Sequence, residues 1–325
     1  MLNLAELQKS SKIRKLSLAV LIMFCIFAFG FFYYRYSENE RHKFKVTFLN
    51  IGQGDAALIQ FENGEKMLVD CGPNKIILSA LGRNMAFYDR RIDYLLSTHP
   101  DLDHYGGCID VVRNYQVKKI ITNGREKQFD SYWREWDKAR RGSGAELAVI
   151  DKPVAWSISS DTLRFISPDP TLPLAVKEDD NNNYSIVFRL MHNNENFLFT
   201  GDMEEPLERL LVNKYCQDLT PSVVDETSPR LSLEERGNDT SFSFKEKVRM
   251  RSSTCPLQSN ILKVGHHGSD GASSELFLSF VKPKIAVISV GKNKYGHPTL
   301  RAIRHLERAG AEIRRTDLEG DIVVR

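Results

Sequence analysis

Short apolar runs alternate with polar turns along most of this chain of 325 residues. Runs rich in Val, Ile, Leu and Phe end at Gly, Asn, Asp or Pro, which is the pattern of strands separated by turns. We predict strands over residues 44–49, 56–61, 66–70, 92–97, 117–122, 163–167, 185–191, 196–200, 260–264, 285–290 and 322–324. Apolar residues at helical spacing predict helices beginning near Cys108, over 204–215 and over 300–309.

The N-terminal region follows a different pattern. Residues 1–15 form a basic tail, and Leu16–Tyr34 is a run of 19 residues without a charge, which is the length that a bilayer core requires of a helix. The alternatives are a cleaved signal peptide and a buried core helix. We favour an uncleaved single-pass transmembrane anchor over 16–34, because the cleavage site is poor and four aromatic residues follow it. We expect a cytoplasmic N-terminus and an extracytoplasmic globular part.

The globular part is predicted over residues 43–325, with one break in its pattern. Residues 216–258 are dominated by Ser, Thr, Asp, Glu, Arg and Pro, and we expect a polar, largely disordered surface insertion. Cys216 and Cys255 bracket this segment and are candidates for a disulfide in an oxidising compartment. Cys71 and Cys108 lie in apolar surroundings and are interpreted as packing residues.

Composition narrows the function only slightly. Hydrophobic residues make up 42% of the chain and charged residues 27%, which is ordinary for a globular protein. The five cysteines have no CxxC spacing, so neither a zinc ribbon nor a dense disulfide scaffold is indicated. A net charge of +3 permits a nucleic-acid partner without requiring one.

The densest chemical signal lies on the turn after strand 92–97. His99, Asp101, Asp103 and His104 place four potential metal ligands within six positions. Carboxylates and imidazoles packed so closely repel one another or stay partly protonated unless a cation binds them. The alternative is a solvated turn, since Asp and Pro are common there. We interpret the cluster as a metal site.

Other strand ends carry similar side chains. Asp202, His266, His267 and His297 each follow an apolar run, as does Asp70. Strand ends meet at a sheet edge, so these residues are expected to converge there. Asp202 is suited to bridge two cations about 4 Å apart, or it is only the N-cap of the next helix. Asp70 is either a turn residue or a group that orients a metal-bound histidine.

Residues 125–141 combine basic and aromatic side chains, among them Trp133, Trp136, Arg134 and Lys138. Such a segment can stack nucleic-acid bases and contact phosphates. The alternative is an amphipathic helix that buries its tryptophans and exposes its charges. Pattern alone leaves both interpretations open.

Seven ordered stretches resemble the metallo-β-lactamase superfamily and, more narrowly, the C-terminal hydrolase domain of ComEC-type DNA-uptake (competence) proteins. They are FLNIGQGDA (48–56), DCG (70–72), HPDLDHYGG (99–107), NNYSIV (182–187), LFTGD (198–202), LKVGHHGS (262–269) and NKYGHP (293–298). The resemblance implies an α+β fold, the αββα sandwich of two mixed β-sheets flanked by helices. Here it stands behind one transmembrane helix instead of a multi-span channel.

The resemblance also implies a set of functional residues and two divalent metal ions, Zn²⁺ or Mn²⁺, that share a bridging hydroxide. The expected metal ligands are His99, Asp101, Asp103, His104, Asp202, His266 and His267. Catalytic roles are expected of Asp103, His297 and Asp70. Substrate binding is expected of Asn183, Ser185, Ser269 and Asn293. The basic-aromatic segment 125–141 adds Arg134 and Lys138 as candidates for substrate binding.

This chain departs from the usual metal ligands of the superfamily in two places, one inside the commonest motif, His-x-His-x-Asp-His, and one further along the chain. Asp101 stands where the second histidine would be, and residues 182–185 replace a histidine expected before Asp202. The first metal position is therefore richer in oxygen, which favours a harder ion such as manganese.

The resemblance predicts a membrane-anchored phosphodiesterase or nuclease acting on DNA, together with separate channel or uptake components as partners. The alternatives are a hydrolase of a cell-envelope phosphoester or other small ester, and a non-catalytic module that binds DNA or a partner protein.

Overall fold

The computed structural model describes residues 4–127, 130–174, 180–216 and 255–325. Its strands are β1 Lys45–Phe48, β2 Ala57–Gln60, β3 Lys66–Val69, β4 Arg91–Leu96, β5 Gln116–Thr122, β6 Glu146–Val149, β7 Val154–Ile158, β8 Asp161–Ser167, β9 Val187–His192, β10 Glu195–Phe199, β11 Ile261–Lys263, β12 Ile285–Ile288, β13 Glu312–Arg315 and β14 Ile322–Val324. Its helices are α1 Leu4–Arg41, α2 Ile76–Asn84, α3 Leu102–Tyr105, α4 Cys108–Asn114, α5 Ser131–Gly142, α6 Glu205–Tyr215, α7 Glu275–Val281, α8 Leu300–Arg308 and α9 Thr316–Glu319.

Two seven-stranded sheets form the centre of the fold. The first has the order β14-β1-β2-β3-β4-β5-β6 and the second the order β13-β12-β11-β10-β9-β8-β7. Each is antiparallel on one side and parallel on the other, because β3 to β6 and β10 to β13 pair in parallel. The predicted fold class, two mixed sheets flanked by helices, is confirmed.

Three hydrophobic layers hold the sandwich together. The central layer lies between the sheets and includes Phe48, Phe165, Phe188 and Phe199. A second layer packs α2, α4 and α5 on the outer face of the first sheet, and a third packs α6, α7 and α8 on the second. Burial on both faces explains why the central strands are continuous apolar runs.

The N-terminal helix is longer than the predicted anchor. α1 spans Leu4–Arg41, and its segment Arg14–Tyr36 is long and apolar enough to cross a membrane. Its apolar side chains, such as Phe27 and Phe29, are exposed instead of packing into the sandwich. The buried core helix that the sequence left open is therefore not what the structure contains.

Two disulfides join elements of the sandwich. Cys71 and Cys108 link the end of β3 to the start of α4, with their Cα atoms 5.2 Å apart, so the interpretation of these residues as packing residues alone was wrong. Both are fully buried in the layer under the helices, and Gly107 lets the two backbones approach closely enough for the bond. Cys216 and Cys255 form the second disulfide. The insertion predicted between them lies, over 217–254, outside the described residues.

Candidate metal centre

Loops from both sheets meet at one rim of the sandwich. The first sheet contributes the loop before β2 and the turns after β3 and β4, and the second contributes the turns after β10, β11 and β12. Gly54 keeps the loop before β2 close to the turn after β4, since a Cβ at this position would lie 2.4 Å from the Asp103 carbonyl oxygen and its φ is +130°. The predicted convergence of strand ends is therefore present in the structure.

His104 lies at the buried centre of this rim. Its Nδ1 is 2.9 Å from Asp70 Oδ2, and its Nε2 is 3.2 Å from Asp202 Oδ2. Asp70 also accepts hydrogen bonds of 2.8 Å from the backbone and the hydroxyl of Thr98. Asp70 therefore lies behind His104 and orients its ring, so that Nε2 faces Asp202.

Asp202 lies between two sets of side chains. On one side His267 Nε2 is 3.5 Å from Asp202 Oδ2 and 3.3 Å from Asp103 Oδ2. His267 is held from behind, because its Nδ1 donates to the Ser289 carbonyl oxygen at 2.9 Å. The N-cap of α6 is Glu204, so the alternative that Asp202 is only a helix cap is wrong.

His99 and Asp101 form the other side. His99 Nε2 is 3.7 Å from Asp101 Oδ2, and His99 Nδ1 lies 3.3 Å from Ser185 Oγ. The second oxygen of Asp101 is paired with Lys127 and accepts from Asn181 at 3.1 Å. Asp101 is in none of the ligand groups whose atoms converge within 4.8 Å among the described residues; the group that contains His99 is completed by His104 and Asp202.

His266 and His297 lie nearer to the surface. His266 Nε2 is 3.9 Å from Asp202 Oδ2, and its Nδ1 is 2.7 Å from Glu204 Oε1. The His297 ring lies edge-on to His266, with centroids 5.4 Å apart. His266 and His267 both have positive φ, a strained conformation that points their side chains to the same rim.

Two buried charges were missed by the sequence reasoning. Asp55 is ion-paired with Lys263, and its other oxygen is 3.3 Å from His267 Nδ1. Lys263 also donates to the Gly201 carbonyl oxygen at 3.0 Å and lies 3.6 Å from Asp202 Oδ1. A signal for each exists in the sequence: Asp55 follows a Gly-Gln-Gly turn, and Lys263 interrupts an apolar strand.

The electrostatics of the rim are those of crowded, desolvated groups. Burial and the neighbouring His104 lower the pKa of His99 to about 4. Burial also acts to lower the pKa of His267, but Asp202 and Asp55 outweigh it and raise that pKa to about 10. Burial opposes ionisation of Asp202, yet His104 and His267 hold its pKa well below the usual range. Asp202 is therefore ionised at neutral pH, and a cation that binds here would replace the proton that His267 carries without it.

The donor set fits divalent cations. Four overlapping groups bring their ligand atoms within 4.8 Å of one another: His99 with His104 and Asp202, Asp103 with His104 and His267, Asp55 with Asp70 and His104, and Asp55 with Asp202 and His267. His99 Nε2 and Asp202 Oδ1 are buried and make no hydrogen bond within the described part of the chain. Buried polar atoms normally have partners, so these atoms are suited to ligate metal.

Several predicted substrate-binding residues hold loops in place. Asn183 is buried, and its Oδ1 accepts from the backbone amides of Glu204 and Leu207 at the start of α6. Asn293 brackets His297 with hydrogen bonds of 2.8 and 3.1 Å to its backbone. Ser269 Oγ accepts from the Gly271 amide. Among the residues predicted to bind substrate, Ser185 alone has its side chain against a candidate metal ligand.

The basic-aromatic segment folds as the amphipathic alternative. Trp133 and Trp136 are buried against the first sheet, so they are not available to stack on bases. Arg134 and Lys138 are exposed on the opposite face of α5. α5 begins close to the rim, because Trp133 packs edge-on against Tyr105, one residue after His104.

Comparison with known proteins shows the family. Residues 49–292 match the family model of the metallo-beta-lactamase superfamily. The chain is 25% identical to ComE operon protein 3 of Bacillus subtilis over 301 residues, covering 86% of this chain and 33% of that protein. It is 28% identical to competence protein ComA of Neisseria gonorrhoeae, covering 85% of this chain and 31% of that protein. It thus spans about a third of these relatives, and the predicted resemblance is confirmed.

A solved structure supports the fold. CmlA from Streptomyces venezuelae, described as a diiron beta-hydroxylase, superposes with a TM-score of 0.50 at 11% identity, covering 87% of this chain and 54% of CmlA. At that identity the likeness concerns the fold alone.

Proposed function

The chain belongs to the metallo-β-lactamase superfamily, and on that premise we propose that it is a membrane-anchored, metal-dependent hydrolase that cleaves phosphodiester bonds in DNA. The observation that carries the proposal is the convergence of His99, Asp103, His104, Asp202 and His267 at one rim of the sandwich. The resemblance to ComEC-type DNA-uptake proteins, together with the similarity to competence protein ComA, supports DNA as the substrate class.

We assign the ligands to two positions that share Asp202. One consists of Asp103, His104 and His267, and the other of His99 and Asp101, with His266 at its outer side. When bound, two cations supply positive charge to the phosphoryl oxygens and lower the pKa of a water molecule. The second position is poor in nitrogen, so we expect Mn²⁺ to support activity at least as well as Zn²⁺.

The remaining residues of the rim orient these ligands. Asp70 holds His104 and the Ser289 carbonyl holds His267, so in both rings Nε2 is directed inward. The Lys263 ammonium offsets part of the carboxylate charge beneath Asp202. Orientation of this kind maintains ligand geometry without contact to substrate.

His297 is proposed to contact the substrate at the mouth of the site. Burial, His266 and His267 lower its pKa, so the imidazole is neutral at neutral pH. A neutral imidazole can hydrogen-bond a phosphoryl oxygen without competing for the cations. Asn293 fixes the backbone on both sides of this residue.

DNA is proposed to approach along α5. Arg134 and Lys138 lie one helical turn apart on its exposed face, where they can meet successive phosphates. Among the described residues of this segment, Tyr132 is 58% exposed and offers an aromatic ring that a base can reach.

We propose that α1 anchors the protein in a membrane with the hydrolase domain on the extracytoplasmic side. The apolar, unburied segment Arg14–Tyr36 supports the anchor. The two disulfides within the domain are consistent with an oxidising compartment. Separate channel or uptake components are proposed as partners, because the part of the chain that the structure describes has one helix able to span a membrane, and one helix cannot form a channel by itself.

The test is hydrolysis by the purified full chain, stripped of metal and reloaded with Mn²⁺ or Zn²⁺. The panel contains labelled single-stranded DNA, duplex DNA and bis(nitrophenyl) phosphate. We expect metal-dependent cleavage of DNA. Turnover of the small diester alone would favour the envelope-ester alternative, and no turnover of any substrate would favour a binding module.

A further inference from the structure

The edge of the sandwich opposite the metal rim lies next to the N-terminal helix. β1 begins at Lys45, shortly after α1 ends at Arg41, and its other end leads to the rim. β4 begins at Arg91 and ends at Leu96, directly before the metal turn. At about 3.3 Å per residue, the six residues of β4 separate the two edges by about 20 Å.

The segment 85–91, which joins α2 to β4 at this edge, exposes aromatic and basic side chains. Phe87 is 74% exposed and lies edge-on against the exposed Tyr88, with centroids 5.2 Å apart. Arg90 and Arg91 are also exposed. The two acids next to these arginines are buried: Asp89 pairs with Lys66 at 2.8 Å, and Asp93 lies 3.4 Å from Arg91, so the charged side chains that remain exposed here are the arginines.

Segment 85–91 lies beside the C-terminal end of the apolar part of α1. Tyr33 and Tyr36 of α1 line one cavity of about 180 Å³ together with Met85 and Ala86. His42, the first residue after α1, shares a groove of about 530 Å³ with Tyr88, Arg90 and Arg91. Segment 85–91 is therefore beside the end of the membrane-spanning stretch, where aromatic belts lie.

We propose that segment 85–91 is a second membrane contact, in which Phe87 enters the interface and Arg90 and Arg91 bind the phosphates of anionic lipid headgroups. This inference rests on the proposed role of α1 as an anchor. The contact fixes the domain with its metal rim facing away from the bilayer, so that a long polyanion reaches the site without crossing the headgroups.

Charge and position favour a lipid surface over a protein partner. Each basic residue held near an anionic leaflet adds about 1 kcal/mol of attraction, and α1 already holds this edge at the membrane. Arg90 is held in place on this exposed edge, because its guanidinium lies over the Tyr115 ring, 5.2 Å from the centroid, and its Nη1 donates to Tyr115 Oη at 3.2 Å. Arg91 lies over the acid Asp93 at 3.4 Å and is 56% exposed.

The experiment places a fluorescent reporter at the contact. The full chain carrying Phe87→Trp is reconstituted into vesicles of brominated phosphatidylcholine, with or without phosphatidylglycerol, and the parent spectrum is subtracted to remove the native tryptophans. Leu318→Trp is the matched control, since Leu318 is 72% exposed and lies just after β13 on the side of the metal rim.

We expect bromine quenching at position 87 and none at position 318, with stronger quenching in anionic vesicles. Adding Arg90→Gln and Arg91→Gln should reduce the ratio of docked to undocked domain by about 30-fold, because each arginine contributes a factor of about five and the two factors multiply. Equal quenching at positions 87 and 318 in vesicles that carry the chain would overturn the contact and leave the anchor standing. If the chain does not float with the vesicles in a density gradient, both the contact of segment 85–91 and the membrane anchor α1 are overturned. Equal quenching at position 87 in neutral and anionic vesicles would overturn the role of the arginines.

Discussion

Asp70→Asn tests whether the rim is held together for metal binding. Asp70 accepts two hydrogen bonds from Thr98 and faces His104 Nδ1 at 2.9 Å. An asparagine keeps the size of the side chain, but its amide nitrogen cannot accept a hydrogen bond. Either Thr98 or His104 then loses its acceptor. If His104 loses it, the ring proton is free to move to Nε2, the atom proposed to bind metal.

The expected loss follows from the role of such outer residues. Removing a group that orients a metal-bound histidine weakens metal binding by about 10- to 100-fold, or about 1.4 to 2.7 kcal/mol. His104 belongs to three of the four ligand groups, so we expect a value toward the upper end. The fold should persist, because the substitution is isosteric and the neighbouring disulfide remains.

The assay is a competition titration of Zn²⁺ or Mn²⁺ against a chelating dye, with circular dichroism to confirm folding. Asp161→Asn is the matched control, since Asp161 is buried and lies 2.7 Å from His192 Nδ1 at the junction of β7 and β8, away from the rim. We expect the control to bind metal like the parent. Parental affinity in Asp70→Asn, or an equal loss in both variants, would refute the orienting role.

Four further outcomes are expected. Burial raises the pKa of Glu208 to about 7 from 4.5, so the folded state binds the extra proton. The free energy of unfolding should therefore fall by up to about 3 kcal/mol as pH rises from 4.5 to 7; urea titrations of the parent and Glu208→Gln should show this slope only in the parent. Replacing Cys71 and Cys108 by Ser, with Cys25→Ser as the control, should cost about 3–4 kcal/mol of stability in the same titrations, given their separation of 37 residues. Protease added to cells with an opened outer layer should digest the domain; digestion only after lysis would reverse the proposed orientation. Arg134→Gln with Lys138→Gln should weaken binding of single-stranded DNA and reduce the log–log salt slope by about 1.4, and hydrolysis of bis(nitrophenyl) phosphate should stay at the parental rate; an unchanged slope would show that DNA approaches by another route.

The central strands were predictable because burial on both faces makes each one a continuous apolar run. Edge strands lack that signal: β6 and β7 expose most of their residues, and β13 reads Glu-Ile-Arg-Arg, so all three were missed. The helices α2, α7 and α9 were missed as well. α9 has only four residues, and α7 reads Glu-Leu-Phe-Leu-Ser-Phe-Val, so apolar residues are not confined to one face and the helical period is not visible.

The candidate site was predictable where its residues cluster in sequence. The spacing of the four ligands within residues 99–104 was enough to predict them, and Asp202 and His267 were predicted from their position at strand ends. The roles of Asn183 and Asn293 were not predictable, because no sequence pattern indicates a hydrogen bond between an asparagine side chain and the backbone of another loop residue or helix start. The pairing of Asp55 with Lys263 depends on contact between the two sheets, which only the tertiary structure supplies.

The proposal that the protein is a two-cation hydrolase is tested most directly with Asp202→Ala. Bound metal and DNA cleavage are measured in the same preparation of this variant and compared with those of the parent. Asp202 lies 3.2 Å from His104 and 3.5 Å from His267 at the centre of the rim. We predict that the folded variant loses bound metal and DNA cleavage together. Parental metal content and turnover in this variant would contradict the account.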